Sequence, residues 1–397
     1  MPPTLPPSTS DLVFTLPDYD GGSILNLMRG VADACGAAPL PYAPLRDLDV
    51  AALGAARTLV LLVIDGLGYN HLARRGAGGV LDRHLVGRLT SVFPSTTASA
   101  ITTFLTGLAP QQHALTGWHL YFREVDRIVA PLPLQPRAPG GAPVTLPPHR
   151  LFAHGNLFDR IKRPSWTISP ASIVHSSFNV FHAGRATRVA YASVEGMLLA
   201  LAALARHARR PQFLYAYYPE IDADAHAHGI ASDAVATRLA ALDAAFGLFL
   251  DALAGSDTTV VVSADHGFID APATRLIELA RHPRLAATLA RPLCGERRVA
   301  YCYVRPGQHE RFETYVRERL DHCVALYPSR TPIEQGWFGP GAAHPELASR
   351  VGDYTLVMKE NWTIKDWVRG EQRHAQIGVH AGLSADEMSV PLIVARA

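Results

Sequence analysis

Five ionisable side chains crowd into PEIDADAHAHG at residues 219–229: Glu220, Asp222, Asp224, His226 and His228. Asp222 and His226 are four apart, as are Asp224 and His228, so either pair can share one face of a helical turn and hold a divalent cation. Two more Asp residues follow apolar runs: Asp65 after LLVI, and Asp265, with His266 next to it, after VVVSA. Carboxylates gathered without a cation repel and raise each other's pKa; a metal removes that conflict. His226, His266 and the late His380, in IGVHAGLSADEM, add nitrogen donors that favour zinc over magnesium. Hydrolysis also needs a nucleophile, and FPSTTASA offers Thr96 and Thr97 at the start of a helix, where backbone N–H groups and the helix dipole favour a phosphate. A threonine hydroxyl is a poor nucleophile near neutrality without a metal or base, so the two readings depend on each other. Singly, each residue has a plainer role as a cap, a turn former or a solvated loop side chain. Their joint occurrence carries the argument.

The elements that must position them are strands. TLVLLVIDG (58–66), QFLYAYYPEID (212–222) and TTVVVSADHG (258–267) are β-branched or aromatic runs, each ending on Asp. Continuous apolar strands of this kind are buried on both faces in parallel sheets, and ligands bind beyond their carboxyl ends. Helices are expected over ILNLMRGVADA after Ser23, over FPSTTASAITTFLTG closed by Gly107, over 193–207, and over 237–255 closed by Gly255. The alternation predicts an α/β fold, a mostly parallel central sheet flanked by helices. Residues 1–22 are expected to be extended up to the Ser23 cap, and the Pro-rich 127–150 to be irregular. The texture changes over 268–375, where alternating segments (298–304, 354–360) and an amphipathic helix (309–322) predict an inserted α+β lobe, a candidate substrate cap. The catalytic domain would then be 1–267 with 376–397, ending in a last strand, SVPLIVARA.

The bulk numbers set limits. A chain of 397 residues can bury a large core in one or two domains. A formal charge of +2 gives no electrostatic case for a nucleic-acid polymer or a membrane as partner. The 4 cysteines lack Cys-x-x-Cys spacing, against a cysteine zinc knuckle or disulfide scaffold. No secretory signal pattern opens the sequence and no apolar run approaches the ~18 residues of a membrane span, so a cytoplasmic location is expected.

Together VIDGLG, FPSTTASAITTFLTGLAPQQHALTG, YYPEIDADAHAHG, SADHGF and IGVHAGLSADEMSVPLI resemble the alkaline phosphatase superfamily, and most closely its nucleotide pyrophosphatase/phosphodiesterase branch. The motifs keep the family's order across residues 58–393. The resemblance implies two zinc ions, one held by Asp222, His226 and His380, the other by Asp65, Asp265, His266 and the nucleophile's oxygen. It also sets the phase of PEIDADAHAHG, leaving Asp224 and His228 outside the ligand set. Counting back from Thr106-Gly107 puts the family's nucleophile at Thr97, with Thr96 as the fallback. The attack would give a phospho-threonine that water then hydrolyses. The family's phosphate-binding Asn falls near Trp118, a candidate substrate contact itself, so His119, Tyr121 or Arg123 would take its place. Tyr217 matches one wall of the family's base slot, while the partner Phe is replaced by Ala98.

The implied activity is a di-zinc hydrolase of phosphodiester or pyrophosphate bonds in small phosphate-ester or nucleotide substrates, and a homodimer is compatible with the sequence. The main alternative is a phosphonate C–P hydrolase resembling phosphonoacetate hydrolase, or a phosphomonoesterase, with Arg297, Arg298 and Lys359 as further anion contacts. More remote rivals are a phosphomutase and a metal-binding sensor without turnover.

Overall fold

A computed structural model describes residues 14–46 and 48–397. The expected extended start therefore lies outside the described residues for 1–13.

Seven strands form the central sheet, in the order Leu85–Thr90, Ser389–Arg396, Thr258–Ser263, Thr58–Ile64, Gln212–Tyr218, Ser165–Pro170 and Thr187–Tyr191. Thr58–Ile64 runs parallel to both of its neighbours, and the parallel run continues to Thr187–Tyr191. Ser389–Arg396 is antiparallel to the strands on either side of it. All seven residues of Thr58–Ile64 are buried, as its unbroken apolar run requires of a strand covered on both faces. Flanking helices include Ile24–Ala34, Thr97–Thr106, Val194–Arg206 and Asp233–Leu253. Among the described residues no helix is long and apolar enough to cross a membrane.

Adjacency is what matters for chemistry. The strands 212–218, 58–64 and 258–263 are side by side, so the chain leaves the same edge of the sheet three times within neighbouring positions. The expected strand over 212–222 is shorter than its sequence suggested. It stops at Tyr218, and a helix, Glu220–His228, begins after Pro219. Asp222 thus sits in the first turn of a helix, which is why Asp222 and His226 share one face. Within 127–150, Arg127–Ala130 is a strand, pairing antiparallel with Leu120–Phe122. Gln135–Pro136 adds a third short strand, antiparallel to Arg127–Ala130, so the irregular excursion is confined to the stretch between it and the helix Pro148–Phe152.

Residues 268–375 carry a second sheet, in the order Cys294–Gly295, Val299–Cys302, Tyr354–Met358, Val324–Pro328, covered by the helix His309–Arg319. Period-two alternation divides its strands between two cores. Val299, Tyr301 and Val357 face the main core, whereas Ala300, Cys302, Leu356 and Met358 join Phe312 and Val316 in a smaller one. A close backbone approach ties this sheet to the segment after the Thr97 helix: the His119 N–H donates to Gly295 O at 3.2 Å, and the Gly295 N–H to His119 O at 2.6 Å. A Cβ on Gly117 would lie 2.8 Å from the Gly295 Cα, so only glycine permits the contact.

Candidate active site

The three strand exits converge. Asp65 follows its strand directly, and its N–H donates to Tyr218 O at 2.9 Å. Gly66 turns the chain with φ +77°; a Cβ there would meet the Phe268 ring at 2.6 Å. Asp265 Oδ1 accepts from the Gly66 N–H at 3.0 Å and the His266 N–H at 2.9 Å, which turns Oδ2 inward to 3.3 Å from His266 Nε2. Tyr217 donates its hydroxyl to Asp65 Oδ2, leaving Asp65 Oδ1 at 3.4 Å from the same nitrogen. Asp222 Oδ1 approaches His226 Nε2 at 3.5 Å, His380 Nε2 at 3.8 Å and His266 Nε2 at 4.0 Å.

Three of these carboxylate oxygens, Asp65 Oδ1, Asp222 Oδ1 and Asp265 Oδ2, are buried and accept no hydrogen bond. Buried polar atoms are nearly always paired, so three orphans lying within 4.0 Å of His266 Nε2 mark a place suited to cations. The imidazoles agree. His226 Nδ1 faces Gly378 O at 2.9 Å, His266 Nδ1 faces Gly267 O at 3.1 Å, and His380 Nδ1 faces Ser95 O at 3.3 Å. A carbonyl only accepts, so each Nδ1 carries the proton and each Nε2 is left as a lone-pair donor, the usual orientation of metal-ligating histidine. Burial pushes the Asp222 carboxyl up to about 7, with Asp265 adding to the effect. Burial, then Asp265 and Asp222, lifts Asp65 well above the carboxylate range. His226 and His380 are lowered chiefly by burial. Two groups satisfy metal-ligand spacing: Asp222, His226 and His380, and Asp65, Asp222 and His266. Asp222 belongs to both, a sharing the motif pattern did not suggest. The residues fit divalent metal. Asp224 instead pairs with Arg238 at 2.8 Å, and His228 is exposed.

The two threonines part company here. Thr97 opens the helix Thr97–Thr106, and its Oγ1 lies 3.2 Å from His266 Nε2. Thr96, the residue before the helix, is fully buried and donates to Glu296 Oε1 at 2.6 Å. An N-cap threonine ordinarily accepts from an amide of the first turn; this one makes no such bond. Glu296 Oε1 also accepts from the Trp118 N–H at 2.7 Å, and burial raises this carboxyl to about 7.

A cleft of about 350 Å³ opens over Thr97, Asp222, His226 and His380, walled by Trp118, His119, Arg137, Glu296, Arg297, Lys365 and His374 among others. Of the expected substrate contacts, Trp118 and His119 line it. Tyr217 does not, and its hydroxyl donates to Asp65 Oδ2. Tyr121 points away, its hydroxyl on Asp126 and its ring under Arg291 at 4.0 Å, and Arg123 pairs with Glu346 on the surface at 2.6 Å. Leu120–Phe122 is a strand, and its pairing fixes where those side chains go. Arg298 is buried in a two-pronged pair with Glu387, 3.0 Å at each prong, and Lys359 bonds to Asp321 O, so only Arg297 of the three basic candidates reaches the cleft. Glu296, Lys365 and Arg137 were not foreseen; the sequence GERR, opening on Gly295, is a weak cue.

A doubly flanked α/β sheet with metal-ligand groups at the carboxyl ends of its strands and a threonine at a helix start is an alkaline-phosphatase-like hydrolase. The chain belongs to the type I phosphodiesterase/nucleotide pyrophosphatase family, whose model matches residues 59–382. Its fold is similar to that of murine ectonucleotide pyrophosphatase/phosphodiesterase 5, with a TM-score of 0.62 and 18% identity over 84% of this chain and 87% of that one. Phosphonoacetate hydrolase from Sinorhizobium meliloti 1021, solved in complex with phosphonoformate, gives a TM-score of 0.61 and 18% identity over 86% and 90% of the two chains. An inactive threonine-to-alanine variant of the murine protein, in complex with AMP, gives a TM-score of 0.63 at 17% identity over 84% and 87%. Curated protein sequences give no significant match. The protein is thus a phosphoester-hydrolase-type enzyme by family and fold.

Proposed function

We propose that the chain is a two-zinc hydrolase of phosphodiester or pyrophosphate bonds, with Thr97 as nucleophile and residues 268–375 as a cap over the cleft. The observation that carries it is the set of orphaned oxygens and bare Nε2 atoms gathered beside Thr97 Oγ1. Asp222, His226 and His380 would hold one ion, and Asp65, Asp265 and His266 the other. When bound, the ions lower the pKa of hydroxyl and water oxygens and offset charge on phosphoryl and leaving oxygens. Thr97 Oγ1 attacks phosphorus as the bond to the leaving oxygen breaks, giving a phospho-threonine; water then cleaves that ester and restores the hydroxyl. The diversion of the Thr96 hydroxyl to Glu296 leaves the helix start free of side-chain capping, so its amides can face phosphoryl oxygens. The inactive threonine-to-alanine variant and AMP complex of the murine relative support both the nucleophile and a nucleotide-type substrate.

A second reading, cleavage of a phosphonate or a monoester, is favoured by the cleft lining, which does not include Tyr217, and by Ala98 in the place of the partner Phe. The zinc-loaded protein is assayed side by side on bis(p-nitrophenyl) phosphate, ATP, p-nitrophenyl phosphate and phosphonoacetate. The first reading predicts a kcat/KM for one of the first two at least about tenfold above the others, about 1.4 kcal/mol of transition-state preference. Faster monoester or phosphonate turnover establishes the second.

A further inference from the structure

Asp65 is gripped at two points by one neighbouring strand. Its N–H donates to Tyr218 O at 2.9 Å, and its Oδ2 accepts the hydroxyl of Tyr217. A carboxylate held by its backbone and by one oxygen has a fixed direction for the other. That other, Oδ1, is buried without a hydrogen-bond partner, 3.4 Å from His266 Nε2. Asp265 is held in a similar way, but its Oδ1 rests on two backbone amides, whereas the holder of Asp65 Oδ2 is a side chain. Tyr217 is itself tied down. Beyond the last paired residues, Ile168 and Ala216, the next strand ends in Pro170, which has no N–H to offer. The Tyr191 hydroxyl, from the outermost strand, supplies a donor there and reaches Tyr217 O at 2.7 Å. Tyr215, two residues earlier on the same face of its strand, keeps a buried hydroxyl with no partner, so the bond from Tyr217 belongs to its place beside Asp65.

We infer that Tyr217 is a positioning residue for the cation site of Asp65, Asp265 and His266, acting through its hydroxyl on Asp65 and not through its ring on substrate, a role that rests on the proposed division of ligands between two ions. Holding one oxygen of a ligating carboxylate keeps the group in a single orientation before a cation arrives. Partners that hold metal ligands in this way are worth about 10- to 100-fold in metal affinity. The hydroxyl should carry that contribution, the reverse of what a stacking wall requires.

Tyr217→Phe separates the two roles, since it keeps the ring and removes only the hydroxyl. Zinc binding by the full chain is measured by competition with a chromophoric chelator, and cobalt(II) loaded in place of zinc gives a visible spectrum as a second readout. In Tyr217→Phe one of the two equivalents should weaken about 10- to 100-fold while the other is unchanged, and the spectrum of one cobalt should change with it. Tyr121→Phe, which removes a hydroxyl held by Asp126 away from the cleft, should leave both as they are. Two equivalents bound equally tightly by Tyr217→Phe and the unmutated chain overturn the inference. So does an equal loss at both, which marks a general loosening of the fold. If metal-free Tyr217→Phe does not fold, Tyr191→Phe decides, because it keeps the Tyr217 hydroxyl and removes only its backbone anchor. One weakened equivalent then supports the inference, and unchanged binding overturns it. An unmutated chain that binds a single equivalent, weakened by Tyr217→Phe, would keep the role of Tyr217 and sink the two-ion reading.

Discussion

Thr96 Oγ1 donates to Glu296 Oε1 at 2.6 Å, while the hydroxyl of the next residue, Thr97, lies 3.2 Å from His266 Nε2. Consecutive residues at a helix start thus face opposite partners, one a carboxylate from the lobe, the other the ligand cluster. Replacing Glu296 by Gln keeps an acceptor and the volume but removes the charge. A charge-assisted hydrogen bond is worth about 1.5–3 kcal/mol and a neutral one about 0.5–1.5, so kcat should fall roughly 5- to 10-fold if the difference acts in the transition state. KM for bis(p-nitrophenyl) phosphate should move much less. Steady-state kinetics checks the split; an unchanged kcat would show that the bond is merely structural.

Removing metal should destabilise the fold as well as silence it. Without a cation, Asp65, Asp222 and Asp265 present orphaned buried oxygens to one another. A cation at 100 times its dissociation constant would add about 2.7 kcal/mol of stability. Thermal melting with and without chelator reads this, and the Tm should rise again on adding zinc. A Tm indifferent to chelator would count against the ligand assignment.

The pair between Arg298 and Glu387 should prove structural, with an effect that reaches His380. Glu387 also accepts from the Gly382 N–H at 2.8 Å and the Ser384 hydroxyl at 2.7 Å, so it holds the loop that follows His380. Arg298→Met leaves a buried carboxylate unpaired, a loss of about 3–5 kcal/mol. Chemical denaturation measures it, and zinc content should drop in the same variant. A loss below about 1 kcal/mol would place the pair among the weak ones.

A buried group of histidines predicts acid sensitivity away from the metal cluster. His182 is fully buried, its Nε2 lies 3.0 Å from His154 Nε2, and burial lowers its pKa to about 4. The folded value is below the unfolded one, so the unfolded chain binds more protons between the two and stability falls as pH drops from about 6.5 to about 4. The drop attributable to His182 is roughly 3 kcal/mol across that window. Denaturation midpoints at several pH values should show this slope, and His182→Phe should flatten it. An equal slope in that variant would assign it elsewhere.

Much of this was legible from local sequence. Asp65, Asp265 and His266 follow apolar runs long enough to identify buried strands, and parallel neighbours bring their ends together. Pro219 is the reason Asp222 was placed at a strand end: an aromatic run before it extends the strand pattern past the point where the helix begins. The remaining site residues depend on docking between distant segments. Glu296 and Arg297 reach the cleft because Gly117 and Gly295 let two backbones touch, and no pattern within either segment announces that contact. Tyr121 and Arg123 were close in sequence to the right place, but strand alternation and surface pairing turned them away.

The proposed nucleophile is Thr97, and not Thr96. Its most direct test compares zinc-loaded wild-type protein with Thr97→Ala on bis(p-nitrophenyl) phosphate. Loss of a nucleophile costs on the order of a thousandfold or more in kcat, so turnover should fall to that extent while zinc content stays the same. Equal rates for the two proteins would contradict the account.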